Sequence, residues 1–350
     1  MMVAPILSSG GSKAAYPCKS YGQGRINPAY FYGVFDPNDM RRDVSITMTG
    51  SNGKGVEKLI PFVPNSKAEG GGLTLNKWDE NRQANPWVAA QRKSGINGPY
   101  MRMSEVYLGY AEVCAALGDV VTGKQYLKTV RERSFPQGLA NTDAFIASFG
   151  NDLVRAIIEE RGFEYAGEGD RRWTLIRSGY LPEDIKRIKD MTKAMMDGLA
   201  TKGYYEFENG NIISAYIWTK LVDAKTIYGH RLTAQCPTDK VNDPVLYPGW
   251  RGQKDNWEEM GLNYGSSTPA TNLAIKGLFE IVSEEEAASL ESQGYTKVNW
   301  GIDLVDNRDE YDKYLFWDYD YVSAPIYLWA FTPNVMAAGG FTNGYGFKQE

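Results

Sequence analysis

Residues 151–179 read NDLVRAIIEERGFEYAGEGDRRWTLIRSG and limit the possible folds more than any other stretch of the chain. Asn151 or Asp152 can cap a helix whose apolar arc is Leu153, Val154, Ile157, Ile158 and Tyr165. Arg161, Glu164 and Glu168 fall inside that same arc. Charge on a buried helix face is costly unless it is paired. The spacing therefore predicts an internal ion-pair network, with Arg102, Arg131, Arg171 and Arg172 as candidate partners. Glu160, Glu164 and Glu168 could instead be read as catalytic carboxylates. Nearby arginines would hold them ionised and helix-locked rather than raise a pKa for acid work, so the structural reading is preferred.

The preceding stretch, YMRMSEVYLGYAEVCAALGDVVTGKQYLKTVRERS (residues 100–134), predicts two helices. On the first, Met103, Val106, Tyr107, Tyr110, Val113, Cys114 and Leu117 share a broad face that Leu108, Ala111 and Ala115 extend sideways. A helix apolar over so much of its circumference is expected to be packed on two sides. Gly118-Asp119 stops it, and Thr122 to Arg133 forms the second helix, with Tyr126, Leu127 and Val130 inward. Two helices joined by a tight turn over about 34 residues match one tetratricopeptide-like unit. Ala111 and Gly123 sit where such a unit needs close helix contact, although the signature tryptophan is missing.

Composition excludes several function classes. A net charge of −5, with no basic run longer than Arg171-Arg172, argues against a nucleic-acid partner. Cys18, Cys114 and Cys236 are too widely spaced for a disulfide framework or a zinc site, and Cys114 reads as a core thiol. His230 is the only histidine, so a histidine-ligated metal centre is not expected and a catalytic triad would have to use it. No apolar run reaches the ~18 residues of a membrane span, and the Met-Met start lacks a charged region and cleavage site. Aromatics make up 13% of the chain, with 23 tyrosines and 9 tryptophans. They serve either as core and ordinary interface or as stacking surface for a ligand with flat faces, such as a sugar.

Along the chain, residues 1–30 are Gly-, Ser- and Tyr-rich and predict a loop excursion carrying Tyr16, Tyr21, Arg25, Asn27 and Tyr30, with Tyr32 beside it. "DPND" (residues 36–39) predicts a turn with arginine pairing in preference to a Ca²⁺ loop. Val44 to Met48 alternates as a strand would, "GSNGKG" as a hairpin loop, and Val56 to Val63 as the return strand. Residues 64–99 are loop-rich, with Trp78 and Trp87. Further helices are expected at Thr142–Ser148, from Pro182 to about Ala200, and from a Ser283/Glu286 capping box to Ser292. Thr201 to Gly265 reads as an irregular aromatic region containing a possible strand at Ile212–Trp218. Residues 306–321 read as a helical turn and then an extended piece. With no clean linker, residues 1–350 are expected to form one unit: loop-rich over 1–99, a helical core over 100–179, and helices with aromatic loops over 180–350.

The order "MRMSEVYLGYAEV", "VRERS", "EERGFEYAGEGDRRWTLIRSG" resembles the SusD/RagB family of outer-membrane nutrient-binding lipoproteins. "FDPNDMRRDVS" (residues 35–45) is similar to its Asp-x-Arg-Arg-like segment. "PIYLWAFTPNVMAAGGFTNGYG" is similar to its closing segment, with Ala330-Phe331-Thr332-Pro333 where a Pro-Ile-Pro is usual. The resemblance is to the C-terminal part of the family; a lipobox cysteine and the N-terminal helical repeats are absent from this sequence. It implies a mainly α, SusD-like fold: a tetratricopeptide-like scaffold with long irregular loops and a few short strands. It also implies non-catalytic capture of oligosaccharide at the cell surface. The protein would be a lid on a SusC-like TonB-dependent outer-membrane transporter, with no cofactor, no metal and no catalytic residues. Membrane attachment would come only through an N-terminal lipid anchor that this chain lacks. Oligopeptide binding by the same fold and a glycoside hydrolase with paired carboxylates are the alternatives, and a helical scaffold for protein partners is a further one. By region rather than by residue, the resemblance places the ligand at Tyr16, Tyr21, Arg25 and Asn27, then at Trp78 and Trp87, and third at Tyr247 and Trp250.

Overall fold

Apolar spacing, caps and turn residues produce a mainly helical chain with a few short strands in the computed structural model. The structure describes residues 26–51, 57–59, 62, 73–75, 77, 99–135, 137–223, 271–309, 333–340 and 342. Two short helices, α1 (Pro28–Gly33) and α2 (Arg41–Ser45), come first. Strands β1 (Ile46–Thr47), β2 (Thr49–Ser51), β3 (Glu57–Leu59) and β4 (Thr74–Leu75) follow. The central helices are α3 (Met103–Ala116), α4 (Val120–Glu132), α5 (Thr142–Ala147), α6 (Leu153–Glu164), α7 (Asp170–Ser178) and α8 (Leu181–Lys202). The remaining elements are β5 (Tyr204–Glu206), β6 (Ile212–Ser214), β7 (Tyr216–Asp223), β8 (Thr271–Lys276), α9 (Glu284–Ser292), β9 (Thr296–Asn299), α10 (Gly301–Asp306) and α11 (Pro333–Gly339).

The antiparallel helical hairpin forms as expected. Asp119 caps α4 by accepting from the Thr122 amide, and a Cβ on Gly123 would meet the Ala111 carbonyl oxygen at 3.0 Å. The contact therefore needs glycine. The inward face of α3 is not the one its periodicity favours. Ser104, Leu108, Ala111 and Cys114 are buried, whereas Met103, Val106, Tyr110, Val113 and Leu117 are exposed. Helices α4 and α6 approach where the side chains are small, because close backbone approach buries more surface per helix than bulky residues would permit.

Helix α6 is the axis of the helical half. Asp152 caps it by accepting from the Arg155 amide, and α3, α4, α5 and α7 all pack on it. Three hydrophobic clusters pack against it, the smallest being Ile158 with Leu175 and Leu181. Of the two larger ones, one joins Leu108, Leu127, Val130, Ile157 and Tyr165; the other joins the rings of α1 with Phe163, Met195, Leu199, Ile217 and Trp300.

Three local expectations are corrected. The stretch at Pro28–Gly33 is a helix, not a loop: Asn27 accepts from the Ala29 amide, Pro28 sits in the first turn, and Phe31 and Tyr32 are buried. Val44 and Ser45 end a helix, and only Ile46–Thr47 of the expected strand pairs, with β4. The aromatic stretch after Thr201 is more regular than expected: the strand expected at Ile212–Trp218 is present as two, β6 in a hairpin with β5, and β7 at the centre of an antiparallel sheet with β8 and β9 from further along the chain, in which Trp218 lies opposite both Lys276 and Lys297. The return strand expected within Val56–Val63 is present as β3, but its partner is β2 at Thr49–Ser51 rather than Val44–Met48; the Ser283 cap on α9 matches expectation. His230, Cys18, Cys236, Tyr247, Trp250 and residues 310–321 lie outside the described residues.

Gly301 opens α10 directly over α8 and β6. A Cβ there would meet Leu199 Cδ2 at 2.6 Å and the Ser214 carbonyl oxygen at 2.7 Å. Gly301→Ala should therefore destabilise the fold by about 1–3 kcal/mol through overpacking. A chemical-denaturation midpoint checks this, and an unchanged midpoint would mean the approach is looser than described.

Candidate ligand-binding site

Every charged side chain of α6 makes at least one ion pair. Glu160, wholly buried, meets Arg41 at 2.6 Å and Arg131 at 2.9 Å. Glu164 meets Arg41 at 3.1 Å together with Arg102 and Arg133. Glu168 pairs with Arg102 at 2.7 Å and with Lys77. Glu159 faces Arg171 at 2.9 Å, Arg155 at 3.1 Å and Arg187 at 3.5 Å, and Asp184 takes Arg187 at 2.6 Å and Arg171 at 2.9 Å. Arg161 closes the lattice on Asp170 at 2.6 Å and Glu105 at 2.7 Å.

This geometry decides the role of the acids. Burial alone would raise the Glu164 pKa; Arg41, Arg102 and Arg133 outweigh it and hold the carboxyl at about 2. Burial likewise opposes ionisation of Asp184, yet Arg171 and Arg187 bring its pKa below the ordinary value. Carboxyls held in this way stay charged and do not deliver protons near neutrality. The network expected around Arg102, Arg131 and Arg171 is present. Arg41, Arg133, Arg155 and Arg187 were not foreseen as members. Arg41 carried a signal, since Asp36-Pro37-Asn38-Asp39 predicts a turn with arginine pairing. The turn forms, with the Asn38 amide donating to Asp36 Oδ1 at 2.8 Å, and Arg41 binds Asp39 at 2.6 Å on its way to Glu160. Arg155 and Arg187 carried only their helical spacing from Glu159 and Asp184, and Arg133 carried none.

Of the residues expected to hold a ligand, Tyr16, Tyr21, Arg25, Trp78 and Trp87 lie outside the described residues. Asn27 is described. Its Oδ1 caps α1, and its Nδ2 donates to Thr192 Oγ1 at 2.9 Å, leaving one amide hydrogen for another partner. That bond ties the start of α1 to the middle of α8. Tyr30, next on α1, donates its hydroxyl to the Gly162 carbonyl at 3.2 Å, and burial pushes its pKa up to about 12. The segment that follows Arg25 is thus anchored at two points on the helical half. Among the described residues, no group of acidic, histidine or cysteine side chains is disposed to hold a metal ion, and no helix is long and apolar enough to cross a membrane.

The described residues thus form a mainly helical scaffold in which the acids around α6 are held in a lattice of ion pairs. The chain belongs to the SusD family, whose model matches residues 10–248. It is similar to "SusD-like protein P25" of Formosa agariphila, at 28% identity over 160 residues, which are 45% of this chain and 26% of that protein. The chain thus spans about a quarter of the length of the curated relative it matches. No solved structure matches it. Proteins of this family are in general non-catalytic, glycan-binding and associated with the outer membrane.

Proposed function

We propose that this protein binds oligosaccharide without turning it over, at the surface of the outer membrane, and hands it to a SusC-like TonB-dependent transporter. Membership of the SusD family carries this reading. The low pKa of Glu164 supports it against the hydrolase alternative at that acid, because a glycosidase needs one carboxyl that is protonated near neutrality. The site is proposed at Tyr16, Tyr21, Arg25 and Asn27, with Trp78 and Trp87 as the second choice. Tyrosine and tryptophan rings take the CH-rich faces of sugars, and the guanidinium and amide bond paired hydroxyls.

Calorimetry of the whole chain against a panel of oligosaccharides and peptides tests the reading. The expected outcome is saturable glycan binding without release of shorter products. Tyr21→Ala should weaken it by about 0.5–1.5 kcal/mol and leave the unfolding midpoint in place. Unchanged affinity in Tyr16→Ala, Tyr21→Ala and the double variant would move the site to the tryptophans. Binding of peptides alone would replace the ligand class, and product release would restore the hydrolase.

A further inference from the structure

Helix α3 is apolar on two sides, and only one of them is covered. Among the described residues its main contacts are with α4 and α6, on the side of Leu108 and Ala111. On the other side Met103, Val106, Tyr110, Val113 and Leu117 follow one another at alternating steps of three and four residues. They form one stripe along the whole 14-residue helix, and Val120 and Val121 continue it past the turn. Each of the seven is about half to four-fifths exposed. Together they present roughly 800 Å², about what each partner buries in a standard-size specific interface. That exceeds the largest apolar patch of an ordinary monomer.

Alternating steps of three and four are the spacing at which one helix receives the side chains of another, so the stripe fits a helix. Gly109 lies in the middle of α3 on the flank of the stripe, and a Cβ there would meet nothing within 4 Å. Glycine weakens a helix interior, and no contact with the described residues calls for it. With Ala116 it leaves room for a second backbone to come close. The stripe itself holds no charged side chain. Glu105 and Glu112 border it and are held within the chain, by Arg161 at 2.7 Å and by Arg177. The face therefore offers nothing to a charged partner and no repulsion to another copy of itself. Two antiparallel copies of α3 also oppose their helix dipoles. With a two-fold axis between Tyr110 and Val113, Tyr110 of one copy faces Val113 of the other, Val106 faces Leu117, and Met103 faces Val120. Each pair sets a larger side chain against a smaller one, and each occurs twice, as an isologous interface requires. We propose that two copies of this chain associate through α3, antiparallel about a two-fold axis.

Sedimentation velocity of the whole chain from about 1 μM to about 200 μM tests the proposal. The expected result is a reversible monomer–dimer equilibrium that stops at the dimer, because a two-fold contact closes on itself. Val113→Glu sets a carboxylate against the facing ring in each half of the interface and should raise the dissociation constant at least about tenfold. Gly109→Leu should do the same by holding the two backbones apart. Its unfolding midpoint, taken at the lowest concentration, should stay or rise, since leucine favours a helix and a Cβ at this position meets no neighbour. Loss of association with an unchanged or higher midpoint thus separates a lost interface from a damaged fold. Glycan binding enters none of these readings, so this proposal and the functional one fail independently. A monomer at every concentration would overturn the proposal and leave the face to a helix of another protein. Growth beyond the dimer without a plateau, or unchanged association in both variants, would overturn it too.

Discussion

Glu164→Gln should lower the stability of the protein by about 3–5 kcal/mol, although it removes one charge and almost no volume. Glu164 is 2% exposed, and Arg41, Arg102 and Arg133 converge on it. With the carboxylate gone, three guanidinium groups face each other with less negative charge between them. Arg133 can turn towards water, being half exposed, but Arg41 cannot. The same residue gives an acid dependence of known sign. Its pKa is about 2 in the folded protein against an ordinary 4.5, so the unfolded chain binds the proton first as pH falls. The stabilisation, about 3 kcal/mol from that gap, is complete above pH 4.5 and disappears as pH falls towards 2. Denaturant melts from pH 6 down to pH 2 should therefore show a steep loss in the parent and a shallower one in Glu164→Gln. Asp184, also held below its ordinary pKa, keeps part of the slope in both. Parallel pH curves would show that the pairs around Glu164 contribute no net stability.

Trp300→Ala should cost about 3–5 kcal/mol, and Trp300→Phe clearly less, about 1–2 kcal/mol. Trp300 is 1% exposed; its Nε1 donates to the Tyr32 hydroxyl at 2.9 Å, and its ring centre lies 4.0 Å from that of Phe62. Its backbone amide donates to Ala215, between β6 and β7. One side chain thus links α1, near the start of the described chain, with the sheet and α10, some 268 residues later. Alanine leaves a large cavity among residues that are already in contact, whereas phenylalanine keeps most of the packing and loses one hydrogen bond. Denaturation midpoints at constant m-value measure the difference. Equal losses for the two variants would assign the whole effect to the hydrogen bond.

Several features were legible before any coordinates. Asp152 and Ser283 cap the helices that their positions announce, because a cap needs only its own side chain and an amide two or three residues on. The Ala111–Gly123 contact was legible because only small residues allow it. The ion lattice could be expected because charges inside an apolar arc have to be paired somewhere, and Arg102, Arg131 and Arg171, suggested from the sequence, are members of it. The first turn of α1 carried a signal as well: Asn27 followed by Pro28 is a helix start, obscured by the Tyr- and Gly-rich residues around it.

What the sequence by itself determined, then, is the set of helices that cap and pair locally, the need for charge pairing around α6, and the family. Tertiary structure alone decided which face of α3 turns inward, since its apolar residues cover most of the circumference and the outcome depends on how closely α4 and α6 can approach. It decided that Val44 and Ser45 end a helix, where Arg41 and Arg42 are drawn inward by Glu160, Glu164 and the Phe279 ring. It also brought the Arg131 guanidinium of α4 over the Phe145 ring of α5. Local energies choose caps and turns within a few residues. Burial and charge pairing act between residues a hundred or more positions apart, and only the folded chain brings those together.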